Sequence, residues 1–284
     1  MKLISSAKLL TGILLIAVCI CEEYASGLTN ETFFDHSLFN RFLGRFVVAG
    51  RVNYAGAKIE SSDLNTYLLK IASEPKSKVF SMKEPEQIAF YINAYNAITI
   101  KTILDHYPIH GSLLNFLYPQ NSIRQIKNAW SEKHTVHGEP LSLDDIEHNI
   151  LRKKYREPRI HLALVCAAMS CPPIRNEAYR GELLDKQLND QATKFLNSPY
   201  GTRYDAASKT LYISSIFKWY GDDFVGAYKN SLDLKGYPPK ETAVLNFIYR
   251  FLKEPIQKAI ISSKVKVKYL KYDWTLNQIP LPAN

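Results

Sequence analysis

An α+β fold, a single mostly helical domain around a small sheet, is what this sequence predicts. Three observations carry the prediction: helical apolar periodicity covers several long stretches, strand-like runs are few and short, and the two do not alternate as a doubly wound sheet requires. The 284 residues show no Gly/Ser linker, repeat or low-complexity tract, so one domain with its own core is expected.

The N-terminus reads as an export signal. Lys2 and Lys8 precede an apolar run at 9–21, followed by Glu22, Glu23 and the small residues Ala25, Ser26 and Gly27, the order of a secretory signal peptide over residues 1–27. Retention of that run as a membrane anchor is the alternative, and no later segment reaches the apolar length of a membrane helix. Residues 28–284 are then a secreted domain with its core at about 50–277. Asn30-Glu31-Thr32 is a glycosylation sequon, used if the host is eukaryotic.

Residues 61–73 place Leu64, Tyr67, Leu68 and Ile71 on one helical face. From Pro85, the positions Ile88, Tyr91, Ile92, Tyr95, Thr99 and Ile103 describe a long helix that stops at Pro108. Phe90, Ala94, Ala97, Ile98 and Ile100 fill most of its remaining surface, so it is expected at the centre of the fold. Asn93 and Asn96 interrupt it, and a buried carboxamide must find partners or lose about 1 to 3 kcal/mol per unpaired group. Each is therefore either a brace of the core or part of a site.

Ser142-Leu143-Asp144-Asp145 has the form of a capping box opening a helix that runs to about Tyr155. Glu147 falls in its apolar stripe between Leu143, Ile150 and Leu151, with His148 on the flank. A carboxylate there is either paired, with Arg159 or Arg175 as partner, or a functional acid. Residues 161–166 read as a buried strand carrying His161 on the face opposite Leu162, Leu164 and Cys166. Helices are expected at 177–197 and 240–261, and strands at 209–213 and 264–270.

Removal of the signal leaves Cys166 and Cys171 out of four cysteines. They either form a disulfide, natural to an exported protein, or act as thiols. Pro172 and Pro173 suit the first turn of a helix, which would put Cys171 at a cap where amide dipoles favour the thiolate, while Cys166 packs on a strand face. The spacing matches no usual zinc pattern, so neither a metal nor a cofactor is expected.

The net charge is +9, and loss of residues 1–27 removes two bases and two acids and leaves it unchanged. Basic residues are scattered, with a local run only at Lys264, Lys266, Lys268 and Lys271, and no groove-reading motif accompanies them. Nucleic acid is thus not an expected partner, whereas an anionic substrate or a simply solvated face is.

Six segments together resemble the family of domain of unknown function 547, DUF547. They are Val52-Asn53-Tyr54, the 88–97 stretch Ile-Ala-Phe-Tyr-Ile-Asn-Ala-Tyr-Asn-Ala, and the 141–148 stretch Leu-Ser-Leu-Asp-Asp-Ile-Glu-His. They continue through 161–173, Phe217-Lys218-Trp219-Tyr220 with Asp223-Phe224, and Tyr272-Asp273-Trp274-Thr275-Leu276-Asn277. Asn53 stands where the family pattern has an acid. The Asn-x-x-Asn, Glu-His and Cys elements are similar to a papain-like hydrolase set in rearranged chain order, and that fold is what the resemblance implies by analogy.

Two functions are consistent with these residues. The first is a secreted thiol hydrolase or acyltransferase acting on an amide or ester. In it Cys171 is nucleophile, His148 general base, Glu147 the group that orients it, and Asn93 or Asn96 an oxyanion donor or brace. His161 or Asp273 can replace a member, because adjacent helical residues such as Glu147 and His148 point in different directions. The second is a non-catalytic extracellular binding domain in which Cys166 and Cys171 are bonded.

Overall fold

The computed structural model describes residues 33–280 apart from 112–114, 233, 235 and 263. The expected signal peptide and the Asn30 sequon lie outside the described residues.

The α+β class holds, and helices dominate. Helices α1 (Ser37–Phe46), α2 (Tyr54–Ile59), α3 (Ser62–Ser73) and α4 (Lys76–Ser81) lead into the long α5 (Glu84–His106), which has its proline in the first turn. Every residue of α5 from Gln87 to Ile100 is buried, as an all-round apolar helix demands. Phe39 of α1 stacks on Tyr67 of α3, and Phe34 meets Tyr67 and Phe90 edge-on, so aromatic packing ties the outer helices to α5. Asn53 accepts a hydrogen bond from the Gly56 amide and caps α2; its carboxamide oxygen does there what a carboxylate could.

The strands fall into three small sheets instead of one. β1 (Val47–Val48) pairs with β2 (Arg51–Val52), and β3 (His134–Val136) with β4 (Glu139–Leu141). β5 (Thr202–Asp205) runs antiparallel to β6 (Thr210–Ile213), which runs parallel to β7 (Lys266–Tyr269). Ala49 and Gly50 both have positive φ, the geometry of a tight hairpin turn between β1 and β2. A Cβ on Gly50 would come within 2.4 Å of the Pro173 Cβ, so the turn can press against the Cys-Pro-Pro loop only as glycine.

Four expectations change on contact with the structure. The 142–155 helix, α6 (Asp145–Tyr155), is wound as a π helix and ends on a left-handed Arg156. The 161–166 strand is replaced by a 3₁₀ helix, Pro158–Leu162, opened by its proline and by the Glu157 side chain bonding to the Arg159 amide. Beyond it, Asn96 takes the Ala163 carbonyl and the Val165 amide, the groups a strand would have used. The 177–197 helix begins late, as a 3₁₀ turn at Gly181–Leu183 and then α7 (Leu184–Leu196), because Asn93 holds the Tyr179 backbone.

The 240–261 helix is in fact a pair. After α8 (Ile216–Tyr220) and α9 (Val225–Tyr228) come α10 (Pro239–Tyr249) and α11 (Glu254–Ser262). Pro255 cannot sit in a helix interior, and it opens the second of them. Two apolar clusters result, one centred on α5 and one built by α7, α8, α10 and the three-stranded sheet, with Tyr272 packed against both.

Candidate active site

A cavity of about 450 Å³ gathers most of the residues singled out from the sequence. α6 and its cap supply Asp144, Glu147 and His148, the 3₁₀ turn supplies His161, and the following loop supplies Cys166 and Cys171. Trp219 and Tyr220 come from α8, and Tyr272 and Trp274 from the C-terminal strap. The strap is fixed by amide bonds running both ways: Met169 to Thr275, Ser170 to Asp273, and Asn277 to Ala167. Trp130, Trp219 and Trp274, all three tryptophans of the chain, line this cavity.

His161 is the most constrained group in it. Its Nε2 lies 2.7 Å from Asp223 Oδ2, its ring stacks on Tyr220 at 4.1 Å, and its Nδ1 faces Glu147 at 3.9 Å. Asp223 is in turn clasped by Arg152, whose Nε and Nη2 donate at 2.6 and 3.0 Å. Burial pushes the Asp223 carboxyl up, but hydrogen bonds from His161 and Arg152 outweigh it and hold the group well below the usual carboxylate range.

Glu147 is buried, as its place in the apolar stripe predicts, but neither expected arginine reaches it. Arg159 pairs with Glu157 and Asp185, and Arg175 with Glu177 and Asp190. The phenols of Tyr95 and Tyr220 lie close to Glu147 instead, and burial with the nearby carboxylate pushes both up. His148 stands at the rim, partly exposed, with Nδ1 accepting from Arg152 at 3.2 Å and lying 4.0 Å from Glu147. The suspected misalignment of the Glu147–His148 neighbours is therefore real: 4.0 Å is no hydrogen bond, and His148 is not oriented by Glu147. Burial, joined by the Glu147 charge, pushes the Asp144 carboxyl up against the opposing pull of His148.

Cys166 and Cys171 are joined by a disulfide. No helix follows Pro172 and Pro173, so Cys171 is not a helix cap. Other donors occupy that place: the Cys166 amide points at Cys171 Sγ at 3.0 Å, and the Tyr272 hydroxyl lies 3.2 Å from the same sulfur and 3.3 Å from Cys166 Sγ. Cys166, expected on a packed strand face, is the more exposed of the two.

Asn93 and Asn96 do not line the cavity. Asn93 donates to the Tyr179 carbonyl and accepts from its amide, and Asn96 does the same with Ala163 and Val165. Their carboxamides brace chain segments on either side of the cysteine loop. Asp273 is a loop former as well: its side chain accepts from the Thr275 amide, and its own amide bonds to Ser170 Oγ. The acid that does meet an imidazole is Asp223, which sequence reasoning placed only within a family motif. No periodicity rule marks it, since its 3₁₀ turn, Gly221–Phe224, is too short to show one. Among the described residues no cluster of histidine, cysteine and carboxylate groups is arranged to hold a metal.

Residues 79–196 match the family described as Protein of unknown function, DUF547. The 217–224 and 272–277 segments lie beyond the matched residues, yet the fold brings them to the same cavity. No curated protein and no solved structure matches the chain.

Proposed function

We propose, from the site built around the 79–196 segment that matches the DUF547 family, a thiol-dependent hydrolase or acyltransferase acting on an ester or amide. One observation carries the reading: an imidazole held by a carboxylate, His161 on Asp223, shares a cavity with both cysteine sulfurs. With Nε2–H donating to Asp223, Nδ1 is the nitrogen left to take a proton.

The disulfide is the resting form in an oxidising compartment. A dithiol reductant opens it by exchange, leaving two protein thiols and the oxidised reductant. Cys171 then passes its proton to His161, its thiolate attacks the carbonyl carbon, and the alcohol or amine leaves with that proton. Water or a second acceptor resolves the thioester. The Cys166 amide and Tyr272 hydroxyl, both aimed at Cys171 Sγ, favour the thiolate in place of the helix dipole first expected.

The non-catalytic binding module stays as the second reading, favoured by the disulfide itself and by the tryptophan and tyrosine walls of the cavity. The two separate in one experiment. After reduction and removal of the dithiol, the protein is expected to turn over 4-nitrophenyl acetate. Cys171→Ser should abolish turnover, and His161→Gln should lower it by about 10²-fold. Iodoacetamide should alkylate Cys171 with an apparent pKa below the usual thiol value of about 8.5. Turnover indifferent to Cys171, or an unshifted alkylation profile, leaves the binding module as the account.

A further inference from the structure

Arg124 differs from three other partly buried arginines of the fold. Arg152, Arg159 and Arg175 each meet at least one carboxylate. Among the described residues, the Arg124 guanidinium bonds to the Tyr118 hydroxyl at 2.8 Å and is in ion-pair contact with no acid. It lies over three rings, at 4.4 Å from the centroid of Tyr118, 5.5 Å from Trp130 and 5.3 Å from Trp274. It is half-buried and lines the cavity.

Contact with ring faces does not consume the N–H groups of a guanidinium, and among the described residues one of its five donors is seen bonded to a side chain, that of Tyr118. A flat cation prepared in this way is shaped for a bidentate carboxylate. Asp144 and Glu147 line the same cavity and work against an anion close to them. A negative group is therefore drawn to the Arg124 guanidinium, and the rest of the ligand packs on the aromatic lining.

We infer that the cavity selects ligands carrying a carboxylate, with Arg124 as the group that reads it, beside an apolar or flat portion that packs on the tryptophans. This rests on the cavity being a substrate site and not on its thiol chemistry. Two sources present that chemistry, the C-terminus of a peptide and a uronic acid.

Since every tryptophan lines the cavity, intrinsic tryptophan fluorescence of the intact, disulfide-bonded protein reports its occupancy directly. Two probe pairs differ only in the charge: N-acetyl-leucine against N-acetyl-leucinamide, and D-glucuronate against D-glucuronamide. The acid of one pair is expected to bind about tenfold tighter than its amide, the scale of a charge-assisted pair, and which pair does so identifies the source. Raising sodium chloride from about 50 to about 500 mM should shrink that advantage. Arg124→Gln should erase it and Arg124→Lys should keep part of it, with circular dichroism confirming that both variants fold. Equal binding of acid and amide, no response to any of the four probes, or an advantage that survives in Arg124→Gln overturns the inference. If Arg124→Gln does not fold, an advantage insensitive to salt in the parent overturns it. Because the protein stays oxidised throughout, a negative result here is separate from failure of thiol-dependent turnover.

Discussion

Buried polarity takes two forms in this molecule. On α5, Asn93 and Asn96 each donate to one backbone carbonyl and accept from one backbone amide, so their bonding is directed wholly at chain segments. On the cavity floor, Glu147 lies near the Tyr95 and Tyr220 phenols, while His161 and His148 stand 3.9 and 4.0 Å away, close but unbonded. The first arrangement spends its bonds on the backbone and serves as a brace. The second keeps hydrogen-bonding capacity facing open volume, which is what a proton-handling site needs.

The sharpest way to break that contrast is to remove a brace. Asn96→Leu fills the position with apolar volume but orphans the Ala163 carbonyl and the Val165 amide. At about 1 to 3 kcal/mol per unpaired group, partly offset by the added apolar surface, a loss of about 2 to 4 kcal/mol is expected in urea unfolding. Asn93→Leu should behave alike through Tyr179. A neutral result at either position would mean that water satisfies those groups and the brace is not closed.

Asp223→Asn probes the open region and should cost less, about 1 to 2 kcal/mol, because Asn can still accept from Arg152 or His161. Its signature is in the pH dependence. The Asp223 carboxyl is held below its unfolded value of about 3.9, so its contribution is present above that pH and is lost as the pH falls further. His36 loses stability over a different range: burial lowers its pKa from 6.5 to about 3, so its contribution is complete above pH 6.5 and drains away as the pH falls toward 3. Parent and Asp223→Asn should therefore weaken in parallel from about pH 6.5 to 4, and the gap between them should close only below about pH 4. A gap that closes near pH 6 would place the lost interaction on an imidazole instead of the carboxylate.

The same two regions divide what could be read from the sequence. The brace side was legible: α5 runs from Glu84 to His106 between the expected proline and the expected stop, and apolar residues on every face announced its burial. The carboxamides had to be partnered, although which segments they clasp depends on contacts between residues 67 to 86 positions apart. On the cavity side, Glu147, His148, His161 and both cysteines stood out in the sequence, since polar groups in apolar stripes are conspicuous, and the fold brings them to one cavity. Their pairing was not legible. Asp223 reaches His161 across 62 positions, and a proline pair that suits a helix start is instead an extended loop pinned by Gly50 and Gln191. Local rules see capping and periodicity; they do not see which distant segment supplies the acid.

The smallest expected effect tests whether a purely local device supports the open region. Ser142 and Asp145 bond reciprocally: the Asp145 amide donates to Ser142 Oγ at 3.1 Å, while the Ser142 amide and hydroxyl donate to Asp145 Oδ2 at 2.9 and 2.7 Å. This box starts α6, the helix that presents Glu147 and His148, and Ser142 is buried. Ser142→Ala removes the hydroxyl and should cost about 1 kcal/mol, the usual worth of such a cap. Because Glu147 also packs near Tyr95 and Tyr220, which lie outside α6, tryptophan fluorescence of the folded variant should match that of the parent. A spectrum shifted together with a loss well beyond 1 kcal/mol would show that the cap, and not the tyrosine pair, fixes the floor of the cavity, and the two regions would then be less independent than their bonding suggests.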